Sequence, residues 1–83
     1  MKTRLQPYGN KNIVGRSIEQ LRKERGITQG ELADVTDIDP SSLSKLEGQI
    51  RACKDYELLA IANALQVNVT TLLRDGKRRN DGR

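Results

Sequence analysis

The sequence predicts an all-α fold, a compact domain of five short helices, and three observations carry that prediction. Apolar residues recur at three- and four-residue intervals along most of the chain. Residues suited to starting and stopping helices punctuate those stretches. Nothing in the sequence reads as a strand. Eighty-three residues allow one domain with one small core, and without Trp or Phe that core must be built from Leu, Ile, Val and Ala.

The elements follow in order. Met1–Asn12, with Pro7 and Gly9, reads as an irregular basic arm. Val14, Ile18, Leu21 and Arg25 fall at helical spacing between a capping Asn12 and Gly26, which predicts a first helix over about residues 13–25. Thr28 followed by Glu31 is a capping-box pattern opening a second helix, with Leu32 and Val35 expected on its inner face and its end near Val35 or Thr36. Asp39 can accept backbone N–H groups as an N-cap, and Pro40 suits the first helical position, where its missing N–H costs nothing. A third helix then runs over about 40–47, turning Leu43 and Leu46 inward and stopping at Gly48. After a loop through Cys53, a fourth helix over about 54–65 is expected to bury Leu58, Ile61, Ala62 and Leu65. A fifth, capped by Asn68, spans about Val69–Arg74 with Leu72 and Leu73 as its apolar pair. Asp75-Gly76 is expected to end the ordered chain.

Charge is unevenly spread. Residues 1–25 carry seven Lys/Arg against two Glu, residues 26–73 three against seven acids, and residues 74–83 five against two Asp. Basic ends around an acidic middle suit an anionic partner gripped by the ends, or tails that only aid solubility. No apolar run approaches the roughly 20 residues of a membrane helix. The N-terminus lacks the apolar stretch of a secretory signal, and the single cysteine, Cys53, cannot close an internal disulfide. A cytoplasmic protein is expected. With no His, one Cys, no phosphate-cradling glycine loop and no metal set, neither an enzyme nor a cofactor is expected. Cys53 reads as a small half-buried residue at a helix entry.

Two helices of about eight residues, joined by a tight turn at Asp37-Ile38, form the core of a helix-turn-helix. The stretches "IEQLRKERGITQGELA" (18–33), "SSLSKLEG" (41–48) and "LLAIANALQVNVTTLL" (58–73) resemble the lambda-repressor/Cro-like (XRE-type) family in order and spacing. The resemblance covers about Ile13–Leu73 and divides the chain into an arm (1–12), a helix-turn-helix domain (13–73) and a basic tail (74–83).

The resemblance implies double-stranded DNA as partner, with the third helix in the major groove and its N-terminal half facing bases. On that basis Ser41, Ser42, Ser44 and Lys45 are the candidate base-facing residues. Lys45 suits guanine O6/N7, or a phosphate, or solvent, and the serines at the helix start suit bases or local backbone groups. Gln29 matches a glutamine that family members use against phosphate and to brace the reading helix. Thr28 is a cap that can also touch phosphate. Gln49 and Arg51 lie where the family touches the far backbone, with Glu47 or Asp55 as alternative partners for Arg51. Arg22 and Glu47 match an ion pair between the first and third helices, a scaffold element. Lys2, Arg4, Lys11 and Arg16 are candidate arm contacts, along the DNA or in a minor groove; the Arg74–Arg83 tail can do the same or meet acidic protein or RNA.

Four departures from the family pattern stand out. Asp37 occupies the turn position usually held by Gly, Thr36 replaces a common Leu, and Gly30 replaces Glu or Ala, a change that either costs helix propensity or lets the backbone approach DNA. Pro40 stands where relatives place a polar base contact, so sequence discrimination is expected either to be weak or to lean on DNA shape and on the arms.

The function these features imply is a small transcriptional regulator, a repressor by preference, of bacterial or phage type. It is expected to pair as a weak dimer, formed chiefly on DNA through Val69–Arg79. The competing reading is an antitoxin-like or other protein-interaction module on the same fold, since an acidic middle suits a basic protein partner.

Overall fold

The computed structural model describes residues 11–78, and these form five helices without a strand: α1 (Gly15–Glu24), α2 (Gln29–Thr36), α3 (Pro40–Glu47), α4 (Asp55–Leu65) and α5 (Val69–Arg78). The core is aliphatic, as the composition requires. Val14 and Ile18 of the first helical segment, Leu32, Ala33 and Ile38 around α2, Leu43 and Leu46 of α3, Ile61, Ala62 and Leu65 of α4, and Leu72 of α5 close on one another. Helix α1 packs against α3, α4 and α5, while α2 lies between α3 and α4. Burying each large aliphatic side chain contributes about 1.5–3 kcal/mol, which is what holds helices this short.

The four helix ends share one device. Ile27, Ile38, Ile50 and Val67 each donate an N–H back to Arg22, Ala33, Lys45 and Ala62, at 3.0–3.1 Å. The residue before each of them takes a left-handed conformation: Gly26, Asp37, Gln49 and Gln66, with φ of 69°, 60°, 64° and 59°. These are Schellman closures; Ile38 is buried in the core and Ile27 and Val67 pack against it, whereas Ile50 stays 64% exposed. Only one of the four uses glycine. Asp37 takes the left-handed conformation at the turn position where relatives carry Gly. After α3, however, the left-handed residue is Gln49, whereas Gly48 keeps φ −79°.

Three expectations need correction. Val35 does not face inward; it is 68% exposed, and Leu32 with Ala33 forms the buried face of α2. At 100° per residue, Val35 points roughly 110° away from the bisector of those two. Helix α5 does not end at Asp75-Gly76 but runs to Arg78. One interior glycine costs about 1 kcal/mol of propensity, too little to stop a helix anchored by a buried residue such as Leu72. Helix α1 is regular only from Gly15 rather than Ile13, although Asn12 caps its entry as expected, its side-chain oxygen accepting from the N–H groups of Val14 and Gly15 (3.0 and 2.7 Å).

Candidate nucleic-acid interface

The start of α3 is built by Asp39. Its Oδ2 accepts from the Ser41 N–H (3.0 Å), the Ser42 N–H (3.4 Å) and the Ser41 hydroxyl (2.6 Å). Those bonds, the Ser41 hydroxyl foremost, hold the Asp39 carboxyl below the usual aspartate range. The acid is therefore engaged by the helix terminus it caps. Pro40 occupies the first helical position. Beyond it, Ser41, Ser44 and Lys45 are exposed and Ser42 half-buried, while Leu43, Leu46 and Glu47 turn inward. The candidate base-facing residues thus share the open side of one short helix.

Its buried side is clamped by charge. Arg22 of α1 donates from Nε to Glu47 Oε2 (2.8 Å) and from Nη2 to Oε1 (3.0 Å), and its Nη1 reaches the Ile27 carbonyl (3.0 Å). Gln29 Nε2 adds a third bond to Glu47 Oε1, at 2.9 Å. The Glu47 bond holds the arginine pKa above its ordinary value. Arg22 and Glu47 thus form the ion pair between the first and third helices that the resemblance implied, and Gln29 braces α3 directly. Thr28 forms its capping box: Oγ1 accepts from the Glu31 N–H (3.0 Å), and the Thr28 N–H donates to Glu31 Oε1 (2.9 Å).

Arg51 lies in the loop after α3, as expected, but pairs with a different acid. Its partner is Glu57, reached by Nη1 and Nη2 at 2.9 Å each, rather than Glu47 or Asp55. Its Nε donates to the Ser42 carbonyl (3.1 Å). Gln49 Nε2 donates to the Asn12 carbonyl (3.3 Å), and the Lys11 N–H donates to the Gln49 carbonyl (3.0 Å). Lys11 and Asn12 are thus fastened beside the end of α3, with the Lys11 and Arg16 side chains exposed. Lys2, Arg4 and residues 79–83 of the tail lie outside the described residues.

Two residues here had no functional reading in the sequence. Asn12 was legible as a cap, but its Nδ2 also donates to the carbonyls of Leu46 (3.0 Å) and Arg51 (2.8 Å). Glu57 looked like an ordinary acid in the first turn of a helix, and only the fold brings it to Arg51.

An open groove runs between α2 and the start of α3, lined by Gly30, Ala33, Asp34, Asp37, Ile38, Asp39 and Pro40. Among the described residues no three of His, Cys, Asp and Glu converge as metal ligands, and no helix is long and apolar enough to cross a membrane.

A short braced helix followed, after a left-handed turn, by a second helix with one polar open side defines a helix-turn-helix domain of the kind found in DNA-binding transcription regulators. The chain belongs to that helix-turn-helix family, in its XRE-type branch: the family model matches residues 18–72. It is 38% identical over 61 residues to the HTH-type transcriptional regulator RamB of Mycobacterium tuberculosis, in both strain CDC 1551 / Oshkosh and strain ATCC 25618 / H37Rv. The match covers 74% of this chain and 13% of that much longer protein. Among solved structures it is similar to the restriction-modification controller protein C.AhdI from Aeromonas hydrophila (TM-score 0.70, 27% identity, 72% of this chain and 91% of that one). The biofilm master regulator SinR in complex with DNA gives a TM-score of 0.69 at 34% identity, over 72% and 97% of the two chains. A chain of the SinR–SinI protein complex gives 0.73 at 31% identity, over 80% and 65%.

Proposed function

We propose that residues 13–73 form a sequence-specific double-stranded DNA-binding domain of a transcriptional regulator, acting by preference as a repressor, with α3 in the major groove. The observation that carries this reading is the division of α3 into an open side of Ser41, Ser44 and Lys45 and a buried side fixed by Glu47. A helix gripped in that way can present side chains to base edges at fixed positions. The names of RamB and of the SinR–DNA complex support the same reading. Lys45 is assigned to base contact and Ser41, Ser42 and Ser44 to the same face. Thr28 and Gln29 meet phosphate at the start of α2, Gln49 does so beyond α3, and the basic arm and tail add non-specific affinity. Pairing of two copies on a palindromic site would use α5, where Leu73 remains 37% exposed.

Selection of bound duplexes from a random pool tests this, repeated with Lys45→Ala. A palindromic site enriched by the native protein and relaxed in the variant is the expected result; weak, unselective binding in both would overturn it. One observation favours a second reading, as a protein-docking module: the groove carries Asp34, Asp37 and Asp39, and Val35 beside Asp34 is exposed. A salt-insensitive complex with a basic protein, formed without DNA, would select that reading.

A further inference from the structure

The geometry points to Arg51 as a positioning residue that, held by Glu57, fixes the orientation of α3 and hence its sequence discrimination, rather than as a phosphate ligand. The inference rests on the proposal that α3 reads bases. Four donor contacts define the guanidinium: Nε to the Ser42 carbonyl (3.1 Å), Nη1 to the Ala52 carbonyl (2.7 Å) and to Glu57 (2.9 Å), and Nη2 to Glu57 (2.9 Å). Five N–H groups are available to an arginine side chain, so a phosphate would find one unclaimed. The charge is already matched, and the pair is largely dry, with side chains 21% and 11% exposed.

What Arg51 holds is the first turn of the reading helix. Ser42 lies among the base-facing candidates, and its carbonyl is tied through Arg51 to Glu57 in the first turn of α4. Glu57 is itself set in place, because Oε1 also accepts the Lys54 N–H at 3.1 Å. The backbone of Arg51 is anchored too: Asn12 Nδ2 donates to its carbonyl and to that of Leu46. The far end of α3 is fixed separately at Glu47 by Arg22 and Gln29. Two anchor points are needed to define the direction of a rigid helix. With only the Glu47 end held, a tilt of about 10° would carry Ser41, some 9 Å along the axis, through roughly 1.5 Å. A displacement of that size is enough to misplace a bidentate base contact.

The two roles of Arg51 predict opposite signs for one substitution. Affinity for the selected site and for an unrelated duplex is measured across a salt series for the native protein, Glu57→Gln, Arg51→Ala and Arg51→Lys. As a positioning pair, Glu57→Gln lowers specific affinity about tenfold and leaves the salt slope unchanged, although the protein has become more basic. Arg51→Ala lowers the ratio of specific to non-specific binding likewise, and Arg51→Lys does not restore it, because lysine lacks the fork. As a phosphate ligand, Arg51 would be released by Glu57→Gln, so both affinities would rise. Arg51→Ala would then weaken both in parallel and lessen the salt slope by about 1, and lysine would substitute. That second pattern overturns the inference. A readout without DNA separates its failure from failure of the DNA-binding reading. Amides of Leu43–Glu47 in free Glu57→Gln should exchange hydrogen several-fold faster than in the native protein, while those of α1 keep their protection. Unchanged α3 protection also overturns the inference, whether or not the native protein selects a site.

Discussion

Gly15 lies against the carbonyl oxygen of Leu46 so closely that a β-carbon on residue 15 would stand 2.5 Å from it, and 2.7 Å from the carbonyl of Glu47. The first turn of α1 and the last turn of α3 thus meet backbone to backbone. Gly15 is required by this approach and not by an unusual φ. Gly15→Ala must push the two helices apart, and forced overpacking of this kind costs about 1–3 kcal/mol. Urea unfolding should show the midpoint fall with an unchanged m-value; a variant as stable as the native protein would mean that the helices do not touch in this way.

Gly30 is the opposite case. A β-carbon there meets only Thr28 Oγ1, at 3.9 Å, and its φ is not positive. Replacement by alanine should therefore stabilise α2 by up to about 1 kcal/mol. On the proposed DNA-binding reading the open space at Gly30 admits the phosphate backbone, so Gly30→Ala should be more stable and yet bind DNA less tightly. The paired measurement is thermal unfolding and duplex affinity; tighter binding would show that nothing needs to approach there.

The Arg22–Glu47 pair is 9% and 3% exposed in its side chains. Arg22→Ala leaves a buried carboxylate with Gln29 as its one remaining side-chain donor, and removal of one partner from such a pair costs about 3–5 kcal/mol. Arg22→Met with Glu47→Leu should recover much of that loss, since the bulk returns without the charge. The comparison is made by denaturant unfolding. A double variant less stable than Arg22→Ala would show that the pair contributes to stability beyond orienting α3.

How far the sequence disclosed all this depends on the range of the interactions. The caps at Thr28 and Asp39 involve residues two or three apart, and their chemistry was readable in order along the chain. The Arg22–Glu47 pair spans 25 residues and was legible only through family resemblance. Asn12 with Leu46 and Arg51 with Glu57 had neither aid. Each depends on how the loop after α3 folds back, and that loop turns on a left-handed Gln49, a residue type with no strong preference for that conformation. Val35 was misplaced for a related reason: two apolar residues three apart define a face only when a third, here Ala33, shows on which side its centre lies.

Acid should loosen the same scaffold. The Arg51 hydrogen bond foremost holds the Glu57 carboxyl below its usual range, and the Ser41 hydroxyl does the same for Asp39. For a carboxylate depressed in the folded state, the unfolded chain binds protons first. The resulting stability is present above the ordinary values of about 3.9 for Asp and 4.3 for Glu, and is lost as pH falls through the lower folded values. Stability measured from pH 6 downward should decline chiefly below about pH 5. Glu57→Gln should flatten that decline by removing one of the two groups. An acid limb as steep in the variant as in the native protein would place the titration elsewhere.

Cys53 gives the most direct check on the ground beside Arg51. Burial foremost, and then the charge of Glu57, push its thiol up to about 11, against the opposing pull of Arg51. Because the thiolate is the reactive form, the fraction present at neutral pH is on the order of a hundredfold below that of an unperturbed cysteine near 8.5. Alkylation of the folded protein at pH 7.5 should be slower than that of a free thiol by at least that factor, and unfolding in urea should remove the difference. Arg51→Ala should not speed the reaction, because losing the cation raises the thiol further. A folded Cys53 that reacts as fast as a small-molecule thiol would mean that the loop between α3 and α4 stands open, and with it the contact by which Arg51 reaches Ser42.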